Sequence, residues 1–206
     1  MEDFRKNGTM FMNTLEYFRT LEGKGDVGDK DEGLGSCWQS ARVNVKITDQ
    51  DGKSTTLSKD NGLTGQIITR DNNVDSSNLF CMYAIKYCGK KPVIDERNFD
   101  FGDTYVCITS GKEFINRLRT AAKKARIHIV GNLVEYVPRD THNGEMGVFR
   151  KFLPYGYQSE YRFIINPGFS MPYKLVLGDI FDITTVGKAR EINDHIEYVE
   201  LEAVSL

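Results

Sequence analysis

The clearest hydrophobic pattern in the chain places Phe114, Ile115, Leu118, Ala121, Ala122 and Ala125 at helical spacing. Apolar residues three and four apart share one face of a helix, so this stripe predicts an amphipathic helix over residues 112–125. Ser110 stands where an N-cap belongs, and Arg117, Arg119, Lys123, Lys124 and Arg126 mark a solvated opposite face. A shorter helix is predicted over 13–22, capped by Asn13 or Thr14, with Leu15, Phe18 and Leu21 as its stripe. Residues 2–6 read as the end of a helix stopped by Asn7-Gly8.

Elsewhere the period is that of strands. Val43, Val45 and Ile47 alternate with Asn44, Lys46 and Thr48, and the turn formers at 49–52 predict a hairpin returning over 54–57. Further short strands are expected over 9–12, 65–69, 104–109, 127–137, 146–149, 161–165, 174–178, 180–185 and 195–203. The stretch 79–85 is apolar without alternation, which predicts a central strand buried on both faces, entered through Ser76, Ser77 and Asn78. Residues 23–35 hold five glycines beside Asp26, Asp29, Asp31 and Glu32. They lack the order of a calcium loop and read as a solvated loop. The functional alternative has Asp29 or Glu32 reaching a ligand or capping the next element. These patterns give an α+β class, mainly antiparallel sheet with one clear amphipathic helix. The expected organisation is a single domain over 1–206, with 36–75 as a hairpin insertion.

Composition narrows the class. Of 206 residues, 40% are hydrophobic and 27% charged, as in soluble globular domains. The start has no signal-peptide core and no apolar run reaches spanning length, so a cytoplasmic protein without a membrane partner is expected. Four dispersed cysteines and three histidines do not compose a zinc site; they suit a reducing compartment, with Cys81 and Cys107 as core residues. A net charge of −2 argues against a generic nucleic-acid binder. The charge is uneven, however. Residues 112–162 carry ten Lys/Arg against five Asp/Glu, while 163–206 carry three against seven. An anionic ligand such as a nucleotide or nucleic acid suits the basic part.

That basic part contains the strongest candidate chemistry, residues 148–166. On a strand, Gln158, Glu160 and Arg162 would share one face, and Ser159, Tyr161 and Phe163 the other. A surface ion pair between Glu160 and Arg162 would contribute little. As a site, Glu160 would stabilise developing positive charge or take a proton, and Gln158 would orient the attacked group. Tyr155 and Tyr157 would stack on a ring, and Arg150, Lys151 or Arg162 would bind phosphate. A nuclease-type metal site would draw on Asp29, Asp31 and Glu160, but no metal-ligand motif accompanies them, so no metal is expected.

The segment Tyr157-Gln-Ser-Glu-Tyr-Arg162 resembles the Gln-x-Glu strand of mono-ADP-ribosyltransferases. The resemblance implies NAD as cofactor, Glu160 on its ribose, Gln158 selecting the acceptor, and a protein or nucleic acid as target. In those enzymes an opening strand carries an Arg or His that grips NAD. Here the first element is already under way at Met1, with Arg5 on a helix end, and Ser76-Ser77-Asn78 stands where a Ser-Thr-Ser is usual. A broader likeness rests on Asn7-Gly-Thr-Met-Phe-Met-Asn13, Tyr17-Phe-Arg19, Gly28-Asp-Lys-Asp-Glu-Gly33 and Gln158-Ser-Glu-Tyr-Arg162. Together these resemble an uncharacterised family common in bacteria and prophages, which implies a bacterial setting of phage–host conflict. Two expectations follow. The first is an NAD-using ADP-ribosyltransferase-like enzyme or toxin with Glu160 and Gln158 catalytic. Tyr155, Tyr157, Arg150, Lys151, Arg162, Asn13 and Tyr17 would surround its nucleotide, and Asp29, Glu32, Ser76 and Ser77 are further candidates. The second is a non-catalytic phage–host interaction or nucleic-acid-binding module.

Overall fold

A computed structural model describes residues 2–21, 29–86 and 89–197. Its strands in chain order are β1 (Thr9–Thr14), β2 (Leu34–Gln39), β3 (Val45–Thr48), β4 (Ser54–Leu57), β5 (Gln66–Arg70), β6 (Asn78–Tyr83) and β7 (Thr104–Ile108). There follow β8 (Val130–Leu133), β9 (Glu135–Val137), β10 (Gly144–Glu145), β11 (Arg150–Phe152), β12 (Glu160–Ile165), β13 (Tyr173–Val176) and β14 (Thr184–Lys188). The helices are α1 (Glu2–Asn7), α2 (Leu15–Thr20), α3 (Gly111–Ala125) and α4 (Ile192–His195). The class is mixed α+β, with several antiparallel sheets. Among the described residues no helix is long and apolar enough to cross a membrane.

The main sheet runs β13-β1-β6-β12-β8, every neighbouring pair antiparallel. Alternation along β12 gives it two unlike faces. Phe163 and Ile165 enter a core with Met10, Met12, Leu175 and the α3 residues Phe114 and Leu118, with Tyr161 packed against it. The Phe114 and Phe163 rings meet at 6.0 Å, and burying side chains of this size contributes roughly 1.5–3 kcal/mol each. On the opposite face, Glu160 and Arg162 stand across from Tyr83 and Cys81 of β6. Residues directly opposite in an antiparallel pair share a face, so the site's charges and the Cys81 thiol project together, away from α3. Gly8 sets the entry to this sheet. It ends α1 in the left-handed region (φ 61°), and a Cβ there would lie 2.3 Å from the Gly178 carbonyl oxygen.

Around this sheet lie β10-β2-β5, the β3–β4 hairpin, β7 paired with β14, and β9 paired with β11. Several expectations are corrected. A strand, β2, occupies 34–39 where a loop ended; its sequence, Leu-Gly-Ser-Cys-Trp-Gln, buries only Leu34 and Cys37 and so lacks an alternating signal. Residues 127–137 are two strands in different sheets, and β9 pairs with β11 in parallel, not antiparallel. The expected strand at 146–149 is irregular, and 180–185 opens with a 3-10 turn, Phe181–Ile183. Of the last expected strand, 195–203, His195 closes α4, residues 196–197 are not strand, and residues from 198 lie outside the described ones. β6 is central but not buried on both faces, because Cys81 and Tyr83 open onto a cleft. Among the described residues Cys37, rather than Cys81 or Cys107, is the buried core cysteine.

Candidate functional site

Arg162 is 1% exposed, a position an arginine tolerates only when its charge is matched. Its Nε donates to Glu160 Oε2 at 2.6 Å, and its two terminal nitrogens donate to Glu32 Oε1 and Oε2 at 2.6 and 2.7 Å. The carbonyl of Val148 accepts a further bond at 2.8 Å. The fork-on-carboxylate geometry with Glu32 is the strong bidentate form. Lys151, from β11, is buried beside it. Its ammonium donates to Gln158 Oε1 and Glu160 Oε1, both at 2.7 Å, and lies 3.2 Å from Glu32 Oε2. Two of the three N–H bonds of the ammonium are thus used, and the contact with Glu32 is an ion pair.

Asp29 is left over. Its carboxylate is 3% exposed, and Oδ2 lies 3.9 Å from Lys151 Nζ, beyond hydrogen-bond reach, with no partner among the described residues. The backbone N–H of Asp31 donates to its other oxygen at 2.9 Å. Burial therefore dominates and pushes the Asp29 pKa up to about 6, against the attraction of Lys151. Glu160 behaves oppositely. Burial alone would raise its pKa, but Arg162 and Lys151 outweigh that and hold it at about 2. The same two cations outweigh burial at Glu32 and lower its pKa. Three carboxylates thus face two cations.

Local backbone explains how distant residues meet. Gln158 does not lie on the strand, as expected, but closes the 3-10 segment Leu153–Gln158. Ser159 then adopts a left-handed conformation (φ 41°), held by its hydroxyl donating to the Ala84 carbonyl at 2.8 Å. The turn delivers Gln158 to the same face as Glu160 and Arg162. Tyr136 of β9 accepts from the Glu160 N–H at 3.0 Å, which fixes the start of β12. The turn after residue 28 brings in Asp29 and Glu32, which are buried and not solvated as the loop reading expected.

The cluster surrounds an inner chamber of about 120 Å³, lined also by Phe18, Leu79, Cys81 and Phe101. Beside it lies a larger cleft of about 300 Å³, whose walls include Tyr83, Ile94, Phe99, Phe101 and Tyr105. Cys81, Phe101, Gln158 and Glu160 belong to both. Cys81 is exposed to these cavities, yet it is enclosed by protein, and burial pushes its thiol pKa up. The thiol is therefore a poor nucleophile at neutral pH.

The other sequence candidates divide. Tyr155 adjoins the cluster: Lys151 Nζ lies 5.4 Å from its ring centre, and burial and the Asp29 charge push its hydroxyl up to about 12. The Tyr157 hydroxyl accepts from Gln158 Nε2 at 3.3 Å, and Arg97 lies over its ring at 4.0 Å. Arg150 is elsewhere. It pairs with Glu135 at 2.7 Å and lines a separate groove of about 760 Å³. Asn13, opposite Leu79 in the sheet, and Tyr17, 43% exposed against Phe18, line neither cavity. Ser77 is fully buried and its carbonyl accepts from the Leu15 N–H at 2.9 Å, while Ser76 borders Gly168; both support the sheet entrance. Sequence reasoning missed the aromatic wall. Phe99 and Phe101 lie in a 3-10 segment, Glu96–Phe101, whose only signal was an Asn-Phe-Asp-Phe-Gly run in a turn-rich stretch. Arg190, 5.8 Å from the Phe99 ring, and Arg97, paired with Asp95 at 2.7 Å, are nearby cations it also missed.

Among the described residues no group of three or more His, Cys, Asp or Glu is arranged to hold a metal ion. Comparison with protein families, with curated proteins and with solved structures finds no match to this chain.

Proposed function

We propose that the aromatic cleft binds NAD and that the chain transfers its ADP-ribosyl group to a protein or nucleic-acid acceptor. One observation carries this reading: Gln158 and Glu160 stand together on the floor of an aromatic cleft, with Glu160 held ionised by Arg162 and Lys151. A planar ring suits walls of Tyr83, Phe99, Phe101 and Tyr105. When the bond from ribose C1′ to the nicotinamide nitrogen breaks, its electron pair leaves with nicotinamide and positive charge develops at C1′. A fixed carboxylate there lowers the barrier. The acceptor's lone pair then forms the new bond to C1′ and its proton passes to solvent, with Gln158 orienting the acceptor. The phosphate role moves from the residues first considered. Lys151 is engaged with Gln158, Glu160 and Glu32 inside the cluster, so the diphosphate is assigned near Arg190, 5.8 Å from the Phe99 ring of the cleft wall.

A second reading, binding without turnover, is favoured by the ion pairing of both Glu160 oxygens. It corresponds to an interaction module in which the cluster is a rigid floor. Calorimetric titration with NAD, combined with chromatographic assay of released nicotinamide, separates the two. Transfer predicts binding and release that falls about 100-fold or more in Glu160→Gln, in protein whose circular dichroism is unchanged. Absence of NAD binding and of nicotinamide release, or binding without release, would overturn the transferase and favour the module.

A further inference from the structure

The inner chamber has an unmet acceptor and a surplus negative charge. Asp29, Glu32 and Glu160 face Lys151 and Arg162, and Lys151 donates to Gln158 and Glu160 and pairs with Glu32 at 3.2 Å. Asp29 Oδ2, buried in the chamber wall, has no hydrogen-bond partner among the described residues, while the Tyr155 hydroxyl interacts with the same carboxylate. A phosphate or carboxylate entering here would add negative charge beside a carboxylate that already lacks compensation. A cation bearing N–H donors would supply both missing quantities, charge and hydrogen bond.

We infer that the inner chamber is a subsite for a small cationic, N–H-bearing head group, received by Asp29 while the planar body carrying it lies in the aromatic cleft. The two cavities share Cys81, Phe101, Gln158 and Glu160 in their walls and lie side by side, and the inferred ligand places its ring in one and its head in the other. A chamber of about 120 Å³ has room for an amidinium or guanidinium head. The inference rests on the cleft being a ligand site, as proposed above, but not on NAD being its ligand. It assigns the chamber a selectivity of its own: cationic heads over neutral, neutral over anionic.

The groups that face Asp29 set the pH range. They are Lys151 and Arg162, which attract its charge, Glu32 and Glu160, which oppose it, and the Tyr155 hydroxyl beside it. Asp31 follows in the same turn but is paired with Arg139. Arg162 and Lys151 lower the pKa values of Glu32 and Glu160 while burial raises that of Asp29 to about 6, so Asp29 is the member of the cluster whose charge changes between pH 5 and 7.5.

Benzamidine, benzamide and benzoate carry one ring and a cationic, neutral or anionic head, and serve as probes for calorimetry on the full chain. The expected result is tightest binding by benzamidine, with no measurable binding of benzoate. Benzamidine affinity should fall roughly ten-fold from pH 7.5 to pH 5 as the carboxylate is protonated. Asp29→Asn should lose about ten-fold or more at pH 7.5 and lose the pH dependence, while keeping the circular dichroism of the parent. Should Asp29→Asn fail to fold, the pH dependence and the order of the three probes in the unaltered chain decide. Equal binding of the three, preference for benzoate, or unchanged benzamidine binding in folded Asp29→Asn would overturn the subsite. Nicotinamide release from NAD with no benzamidine preference would remove this inference and leave the transferase reading standing. The converse result would do the reverse.

Discussion

At the scale of single residues, the site is decided by how many N–H bonds two cations possess. Arg162 and Lys151 satisfy Glu32, Glu160 and Gln158, and Asp29 is what remains. The consequence for stability has a definite sign. Asp29 has an ordinary pKa of 3.8 when the chain is unfolded and about 6 when it is folded. A raised carboxylate pKa favours the folded state below pH 3.8, and that advantage is lost as pH rises to about 6. At pH 7.5 the ionised, buried group therefore costs stability, about 3 kcal/mol at most for a shift of this size. Glu160 works the other way. Its lowered pKa contributes above about 4.5 and is lost as pH falls toward 2. Urea titrations should accordingly find Asp29→Asn more stable than the parent at pH 7.5, with the difference vanishing near pH 3.5. A destabilised variant at pH 7.5 would mean that Asp29 is compensated in a way the bonding pattern does not contain.

At the scale of elements, Arg162 joins three pieces of chain that are far apart in sequence. It sits on β12, grips the turn that carries Glu32, and bonds the Val148 carbonyl just before β11. Arg162→Met would leave Glu32 and Glu160 buried with half their partners. Removing one side of a buried pair typically costs about 3–5 kcal/mol, and a loss of that order is expected in the urea midpoint. A loss below about 1 kcal/mol would show that the junction does not depend on the guanidinium. The same elements show what was legible. The α3 stripe was plain because Phe114, Leu118, Ala121 and Ala122 are all buried, as their spacing requires. Glu160 and Arg162 were legible as neighbours on one strand face. Their burial was not, because the partner that makes it affordable, Glu32, lies 130 residues away in a glycine-rich turn. β2 escaped notice because contacts across its sheet, rather than alternation, define it. Gln158 reaches the site through a left-handed Ser159, a conformation that no local residue preference announced.

At the scale of the whole molecule, the main sheet separates two jobs. One face packs α3 and carries the core, and the other holds the ionic cluster beneath an aromatic cleft. The charge imbalance of the sequence is resolved differently from its expectation. Lys151 and Arg162 of the basic segment point inward to carboxylates, and outside that segment Arg190 lies 5.8 Å from the Phe99 ring of the cleft wall. The central claim is that this cleft, and not the larger groove lined by Arg150, Glu135 and Glu145, is where a nucleotide binds. Hydrogen exchange in the presence and absence of saturating NAD tests it most directly. Slower exchange is predicted in residues 96–105 and 157–162, with little change in 34–36 and 145–150. Protection confined to 34–36 and 145–150, or no protection at all, would contradict the claim.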